Sequence, residues 1–269
     1  VSEAKAGAPG EVTANEEVTA GVLIIGNEIL SGRTKDINLP YLGERLHALG
    51  VVLEEARVIP DVEEVIVKAV QEFSGRFTYV FTTGGIGPTH DDITADCVAK
   101  AFGVPLIENP EARAILEAHY EPGMLNAARL RMARTPEGAA LISNPVSAAP
   151  GFRMGNVHVM AGVPKIMQAM FDGIADSLVG GAPVLSRTVI SNLPEGAIAE
   201  GLGQVQARYP ALQIGSYPSF RAGNFGTSLV LRGRDAAELD RAAQEVFEMV
   251  KALGGDPKLE VTDPAAPAS

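Results

Sequence analysis

The chain carries one cysteine, Cys97, and no tryptophan among its 269 residues. A single thiol excludes an intrachain disulfide framework and fits a reducing compartment, so the expected location is the cytoplasm. Aromatic residues make up only 5% of the chain, too few for a platform that stacks sugars or bases. Positive charge is also scarce: 22 Lys and Arg stand against 33 Asp and Glu, a formal net charge of −11. Binding to nucleic acid would need a basic patch, and none is expected. The one local cluster, Arg129, Arg131 and Arg134, reads as the solvated face of a helix. No apolar run is long enough to span a bilayer and no signal peptide is evident, so no membrane partner is expected. The histidines and the cysteine lack the spacing of a structural zinc site. No Gly-x-Ser-x-Gly elbow marks a serine hydrolase. The first residue is not Met, as in a processed or trimmed chain.

What is present is an alternation of short apolar runs and amphipathic segments. Val22-Leu23-Ile24-Ile25 is an uninterrupted apolar run bounded by glycines, the pattern of a buried parallel strand. Leu39, Leu42, Leu46 and Leu49 have helical spacing, closed by Gly50. A strand at 51–59, a helix from Val62 to Phe73 and a strand at 77–81 follow. This order predicts an α/β fold, a mostly parallel sheet with helices on both faces. Residues 109–135 read as helical, 143–152 as a turn-rich loop, 157–160 as a strand and 165–178 as a helix. Gly180-Gly181-Ala182-Pro183 is the best boundary. The expected organisation is an α/β domain at 18–180 and a small α+β domain at 184–255, of β-α-β-β-α order. Flexible tails are expected at 1–17 and 257–269.

The most informative stretch runs from Thr82 to Thr94, Thr-Thr-Gly-Gly-Ile-Gly-Pro-Thr-His-Asp-Asp-Ile-Thr. A strand feeds a glycine-rich turn and then a helix. Such a turn offers backbone N–H groups to an anion, and the helix dipole adds to this. Asp91 and Asp92 on the same turn would repel a bare phosphate. A divalent cation between carboxylates and phosphate oxygens reconciles the two features. The simpler alternative is a structural corner with Asp91 or Asp92 as the helix N-cap. Two further polar loops follow strand ends, Asn27-Glu28 and Asp61. In open α/β sheets ligands bind at such ends.

Five segments carry a family resemblance: Gly26-Asn27-Glu28-Ile29-Leu30-Ser31-Gly32, Lys35-Asp36-Ile37-Asn38, Gly84 to Thr94, Asn144 to Gly151, and Gly162-Val163-Pro164. Together they resemble the molybdopterin-binding-like domain of molybdenum-cofactor biosynthesis proteins and of the competence/damage-inducible protein A family. The amino-terminal domain of eukaryotic FAD synthases is similar too. Gly215-Ser216-Tyr217-Pro218 with Asn224 extends the likeness into the second domain, for a coverage of roughly 19–255. The resemblance implies a three-layer α/β/α fold and a small-molecule phosphorylated ligand, a nucleotide or a pterin phosphate. In the molybdenum-cofactor branch that ligand is molybdopterin. In the other branches the domain is linked to metal-dependent hydrolysis of the pyrophosphate in ADP-ribose or FAD, with cobalt, magnesium and potassium ions. Relatives form dimers or trimers, which implies a homo-oligomer. The chain resembles a stand-alone form, without the deamidase or adenylyltransferase domains of longer relatives.

Carried over residue by residue, the resemblance makes Asp92 the metal-binding or water-orienting acid of the turn and Asp91 a second catalytic acid. Glu28 and Asp61 are further candidate metal ligands, Asp61 equally a helix cap. Gly84, Gly85, Gly87, Thr89, Ser147 and Gly162 are candidate phosphate contacts, and Asp36 and Asn38 hold a ribose or their own loop. His90 reads as a solvent or substrate contact; His47, His119 and His158 read as structural. Two positions depart from the family pattern: Asn27 stands where Asp is usual, and Ile166 where competence proteins carry Glu. The leading expectation is therefore a nucleotide pyrophosphohydrolase. The alternatives are a non-catalytic molybdopterin- or nucleotide-binding protein, supported by Asn27 and Ile166, and an adenylyltransferase of molybdenum-cofactor synthesis.

Overall fold

The computed structural model describes residues 18–182, 184–221 and 224–262. The expected tail at 1–17 and residues 263–269 lie outside the described residues. The chain divides into two compact units after Gly181.

The first unit is built on a six-stranded sheet of order β2-β1-β3-β8-β7-β6. Its strands are β1 (Thr19–Ile25), β2 (Val52–Ile59), β3 (Tyr79–Thr83), β6 (Ala140–Ile142), β7 (Gly151–Met154) and β8 (Val157–Met160). β2, β1, β3 and β8 run parallel, while β7 and β6 are antiparallel additions. The helices are α1 (Asn27–Leu30), α2 (Asn38–Ala48), α3 (Glu63–Ser74), α4 (Thr94–Phe102), α5 (Pro110–His119), α6 (Ala127–Leu130) and α7 (Pro164–Ala175). A two-stranded ribbon, β4 (Leu106–Glu108) with β5 (Arg134–Pro136), stands apart from the main sheet.

Period-two alternation in β1 splits its side chains between two cores. Ala20, Val22 and Ile24 pack with Leu42 and Leu46 of α2 and with Met167, Met170 and Phe171 of α7. Leu23 and Ile25 point the other way, to Ile66, Val70 and Phe73 of α3 and Cys97 and Val98 of α4. The result is the expected three-layer α/β/α arrangement. Cys97 is a buried core residue, and burial pushes its thiol up to about 12.

The second unit is a four-stranded antiparallel sheet of order β10-β11-β9-β12. It comprises β9 (Leu185–Ser191), α8 (Glu195–Arg208), β10 (Gln213–Arg221), β11 (Asn224–Gly233), α9 (Ala236–Ala252) and β12 (Lys258–Thr262). One core joins Val189, Leu229 and Leu231 of the sheet to Ile198 and Val205 of α8 and Val246 of α9.

Two expectations are corrected. The stretch 109–135 is not helical throughout: α5 and α6 are separated by loop, a 3-10 turn spans Arg131–Ala133, and Arg134 opens β5. The carboxyl tail from 257 is not wholly irregular, because Lys258–Thr262 pairs with β9. All five residues of β12 are exposed, so no burial pattern marks the strand. The open edge of β9 supplies the backbone partners instead. No helix among the described residues is long and apolar enough to cross a membrane.

Candidate functional site

β3 ends at Thr83 and α4 starts at Thr94, so the glycine turn leaves the carboxyl end of a central strand. Gly84 and Gly85 have φ of 102° and 69°, the left-handed region. A Cβ on Gly84 would lie 2.2 Å from the Ile25 carbonyl oxygen, and one on Gly85 2.1 Å from Thr94 Oγ1. Only glycine fits both positions. Buried Thr94 pins the turn: its Oγ1 donates to the Gly84 carbonyl and its N–H to the Gly85 carbonyl, each at 3.0 Å.

The paired acids converge on Thr89. Asp92 Oδ2 accepts from Thr89 N–H at 2.8 Å and lies 2.6 Å from Thr89 Oγ1. Asp91 Oδ1 lies at the same 2.6 Å from that hydroxyl. One hydroxyl proton serves one carboxylate at a time, so the two acids compete for it. The Thr89 hydroxyl, and then its own backbone N–H, hold the Asp91 carboxyl below its ordinary range. Neither acid caps α4: the N-cap residue is Ile93, with no side-chain cap bond. The carboxylates are therefore not N-caps of α4; both brace the turn through Thr89. His90 is 98% exposed, with Nδ1 3.9 Å from Asp91 Oδ1.

The loops leaving the parallel strands meet around the turn. Gly84 N–H donates to the Met160 carbonyl at 3.1 Å. A Cβ on Gly162 would sit 3.2 Å from Gly84 Cα. Asn38, only 4% exposed, donates from Nδ2 to the Gly162 carbonyl at 2.8 Å, and its buried Oδ1 has no hydrogen-bond partner among the described residues. Asp36 Oδ2 accepts from Leu39 N–H at 2.9 Å and so closes the first turn of α2. Asp61 Oδ2 accepts from Asn27 N–H at 2.9 Å, at the start of α1, and does not cap the helix that follows it, α3, whose N-cap residue is Val62 with no side-chain cap bond. Glu28 folds back over Gly26. Ser147 Oγ accepts from Asn144 Nδ2 at 2.7 Å, which ties it into its own loop beside Ala148 at φ 64°. Among the described residues no three His, Cys, Asp or Glu side chains lie close enough to hold a metal ion. Asp92, Glu28 and Asp61 thus do not form a protein-only ligand set, since Asp61 and Glu28 are drawn to backbone near β1.

A small cleft of about 20 Å³ opens beside the turn, room for roughly one water. Gly85, Gly87, Asp92 and Asp96 line it together with Arg131, Arg134 and Pro150. Sequence reading placed Arg131 and Arg134 on a solvated helix face, and this is corrected. Arg131 sits in the 3-10 turn and reaches the glycine turn, and Arg134 sits in β5 and reaches α4. Arg131 Nη2 donates to the Asp92 carbonyl and Arg134 Nη2 pairs with Asp96, each at 3.4 Å. No local pattern reports contacts that span 39 and 38 residues.

Comparison with known proteins agrees with this architecture. Residues 21–185 match the probable molybdopterin binding domain family, and residues 183–254 match the middle domain of FAD synthase. A protein from Aeropyrum pernix is 34% identical, over 88% of this chain and 92% of its own. A probable FAD synthase from Caenorhabditis briggsae is 32% identical over 86% of this chain, which spans 49% of that enzyme's length. The structure of the protein CinA with unknown function, from Thermoplasma acidophilum, is 33% identical with a TM-score of 0.57. It covers 60% of this chain and 98% of its own. The match over residues 21–185 shows that this chain belongs to the molybdopterin-binding-domain family, with the CinA protein and the FAD synthase among the proteins it resembles.

Proposed function

We propose that the chain is a divalent-metal-dependent pyrophosphohydrolase acting on a nucleotide diphosphate such as ADP-ribose or FAD. The observation that carries this reading is the Asp92 carboxylate. Both bonds from Thr89 fall on Oδ2. That leaves Oδ1 for a cation or a water, beside a turn whose N–H groups suit phosphoryl oxygens. FAD enters the panel of substrates because the second unit matches the middle domain of FAD synthase.

The donor set fits the manner in which Mg²⁺ is usually held, by one or two carboxylates plus water and substrate phosphate oxygens. Asp92 would hold it, with Asp91 as the second carboxylate. Such a cation, when bound, would neutralise the diphosphate and lower the pKa of a coordinated water. The protein's own contributions are separate. Backbone N–H groups of residues 85–87 stabilise charge developing on the phosphoryl oxygens, that of Gly84 being taken by the Met160 carbonyl. Asp92, fixed by Thr89, orients the attacking water. Thr89 donates its one hydroxyl hydrogen bond to Asp91 or to Asp92, and the acid left without it is the freer acceptor.

A second reading is a ligand-binding protein without turnover. It is supported by Asn27, exposed and neutral, and by Ile166, an apolar side chain packed against the α2/α7 core.

The test is a panel of ADP-ribose, FAD, NAD and molybdopterin, assayed with magnesium, cobalt and EDTA. Asp92→Asn is expected to lower turnover by about 100-fold while sparing nucleotide affinity. Asp91→Asn, on the more exposed acid, is expected to cost less. The reverse ranking would transfer the role to Asp91. Binding without metal-stimulated hydrolysis of any diphosphate replaces the enzyme by the binding protein.

A further inference from the structure

Three arginines close in sequence reach three different environments. Arg129 lies over the Tyr120 ring, 4.5 Å from its centroid, and donates to the Met124 carbonyl. Arg134 pairs with Asp96. Arg131 has neither a ring nor a carboxylate among the described residues. Its protein hydrogen bond is the long one to the Asp92 carbonyl, 3.4 Å against the usual range of about 2.7–3.2 Å. A guanidinium carries five N–H donors in a planar fork. Most of those of Arg131 are therefore uncommitted, on a half-buried side chain where a counter-charge is worth more than in open solvent.

Its place gives those donors a target. Arg131 lines the same cleft as Gly85, Gly87 and Asp92. The charged residues lining the cleft are Asp92, Asp96, Arg131 and Arg134, two of each sign, so their formal charges cancel. The acids of the turn repel a phosphate, but the cleft as a whole does not. Its volume of about 20 Å³ admits one oxygen atom and not a whole phosphoryl group.

We propose that Arg131 is an anion-binding residue: its guanidinium takes a phosphate oxygen of the nucleotide at the mouth of this cleft and holds it against the glycine turn without a bound metal. The proposal rests on the reading that a nucleotide diphosphate binds at the turn, and not on its hydrolysis. Arg131 supplies the positive charge for retention, while a cation is needed only for turnover.

The test is calorimetric titration of the full chain with ADP-ribose in EDTA, at low and high salt. The parent is expected to bind, more weakly as salt rises. Arg131→Met, which keeps the apolar stem, is expected to bind about tenfold more weakly or worse, with a shallower salt dependence. Arg131→Lys keeps the charge but not the fork and recovers part of the loss. Arg129→Met, on the residue engaged with Tyr120, leaves affinity unchanged. Thermal unfolding reports whether each variant folds, and Arg131→Gln replaces the Met variant if that one does not. Parental affinity and salt dependence in a folded Met or Gln variant overturn the proposal. Binding by the parent only when magnesium is present overturns it too, yet leaves the hydrolase reading standing. Absence of binding under both conditions removes the nucleotide reading and this inference together.

Discussion

In the six-stranded sheet the strands β1, β2, β3 and β8 all end on one side, and the loops that leave them touch. Gly84 meets Ile25, Gly162 meets Gly84, Asn38 meets Gly162, and Asp61 meets Asn27. In the four-stranded sheet every pairing is antiparallel, so strand ends alternate between two edges. Several of its polar groups pair with one another: Arg187 with Asp240 at 2.7 Å, and Glu245 with both Arg208 and Tyr209. Parallel order gathers polar loops at one edge and leaves a carboxylate oxygen and a guanidinium facing a cleft. Antiparallel order spreads them, and the helix-covered core of the second unit is bordered by satisfied pairs. The difference teaches where chemistry can sit in this chain, namely where strand direction forces several loops together.

The comparison can be broken most sharply at the glycines. Gly85→Val would place a branched side chain at φ 69° and drive Cβ into Thr94 Oγ1. A loss of about 3 kcal/mol or more is expected, with loss of ligand binding. The loss should be confined to the first unit, which chemical denaturation followed by hydrogen exchange would resolve. Parental protection throughout α4 would show that the turn is not held as described.

A comparable effect is expected from acid. His158 is 4% exposed on β8, stacked on Phe81, and burial pushes its pKa down to about 4, aided by nearby Arg153. The folded state thus keeps His158 neutral while the unfolded chain takes up a proton below about pH 6.5. Stability is fully present above that pH and is lost as pH falls toward 4, by roughly 3 kcal/mol in all. All four histidines lie in the first unit, so the second should lack this term. Unfolding followed unit by unit between pH 7 and 4 checks it. His158→Phe should flatten the profile, and an unchanged slope in that variant would assign the acid sensitivity to other groups.

The smallest expected effect has the opposite sign. Gly203 lies inside α8, and nothing stands within 4 Å of a Cβ built there. Gly203→Ala should stabilise the second unit by about 0.5–1 kcal/mol through helix propensity and a less flexible unfolded chain. A thermal shift downward would mean that α8 is more closely packed at this position than the structure has it.

Gly85 and Gly203 also show what a sequence can report. Both are glycines near helical patterns. Gly85 reads as a binding residue from its motif, so Gly85→Val looks like a variant that merely fails to bind. Thr94, nine residues on, makes it a folding variant as well. β1 was legible because an uninterrupted apolar run marks a buried strand, whereas β2 carries Glu54, Glu55 and Arg57 and only partly buries its residues. The three-residue strands β4, β5 and β6 and the four-residue β7 are too short for a period to register. β12 is polar and exposed throughout, and only its pairing with β9 makes it a strand.

The sequence by itself determined the α/β class, the strand–turn–helix at Thr82–Thr94, and the presence of two acids on that turn, because each depends on residues a few positions apart. It also determined, through motifs in a fixed order, the family to which the chain belongs. Only the tertiary structure decided what each polar group does. Asp61 turned to the backbone of Asn27, Asp36 to the start of α2, and Ser147 to Asn144. Arg131 was brought to the cleft from 39 residues beyond Asp92. The physical reason is that a buried or half-buried polar group is committed by whichever donor or acceptor the fold brings within about 3 Å, and such neighbours are set by strand order rather than by sequence distance.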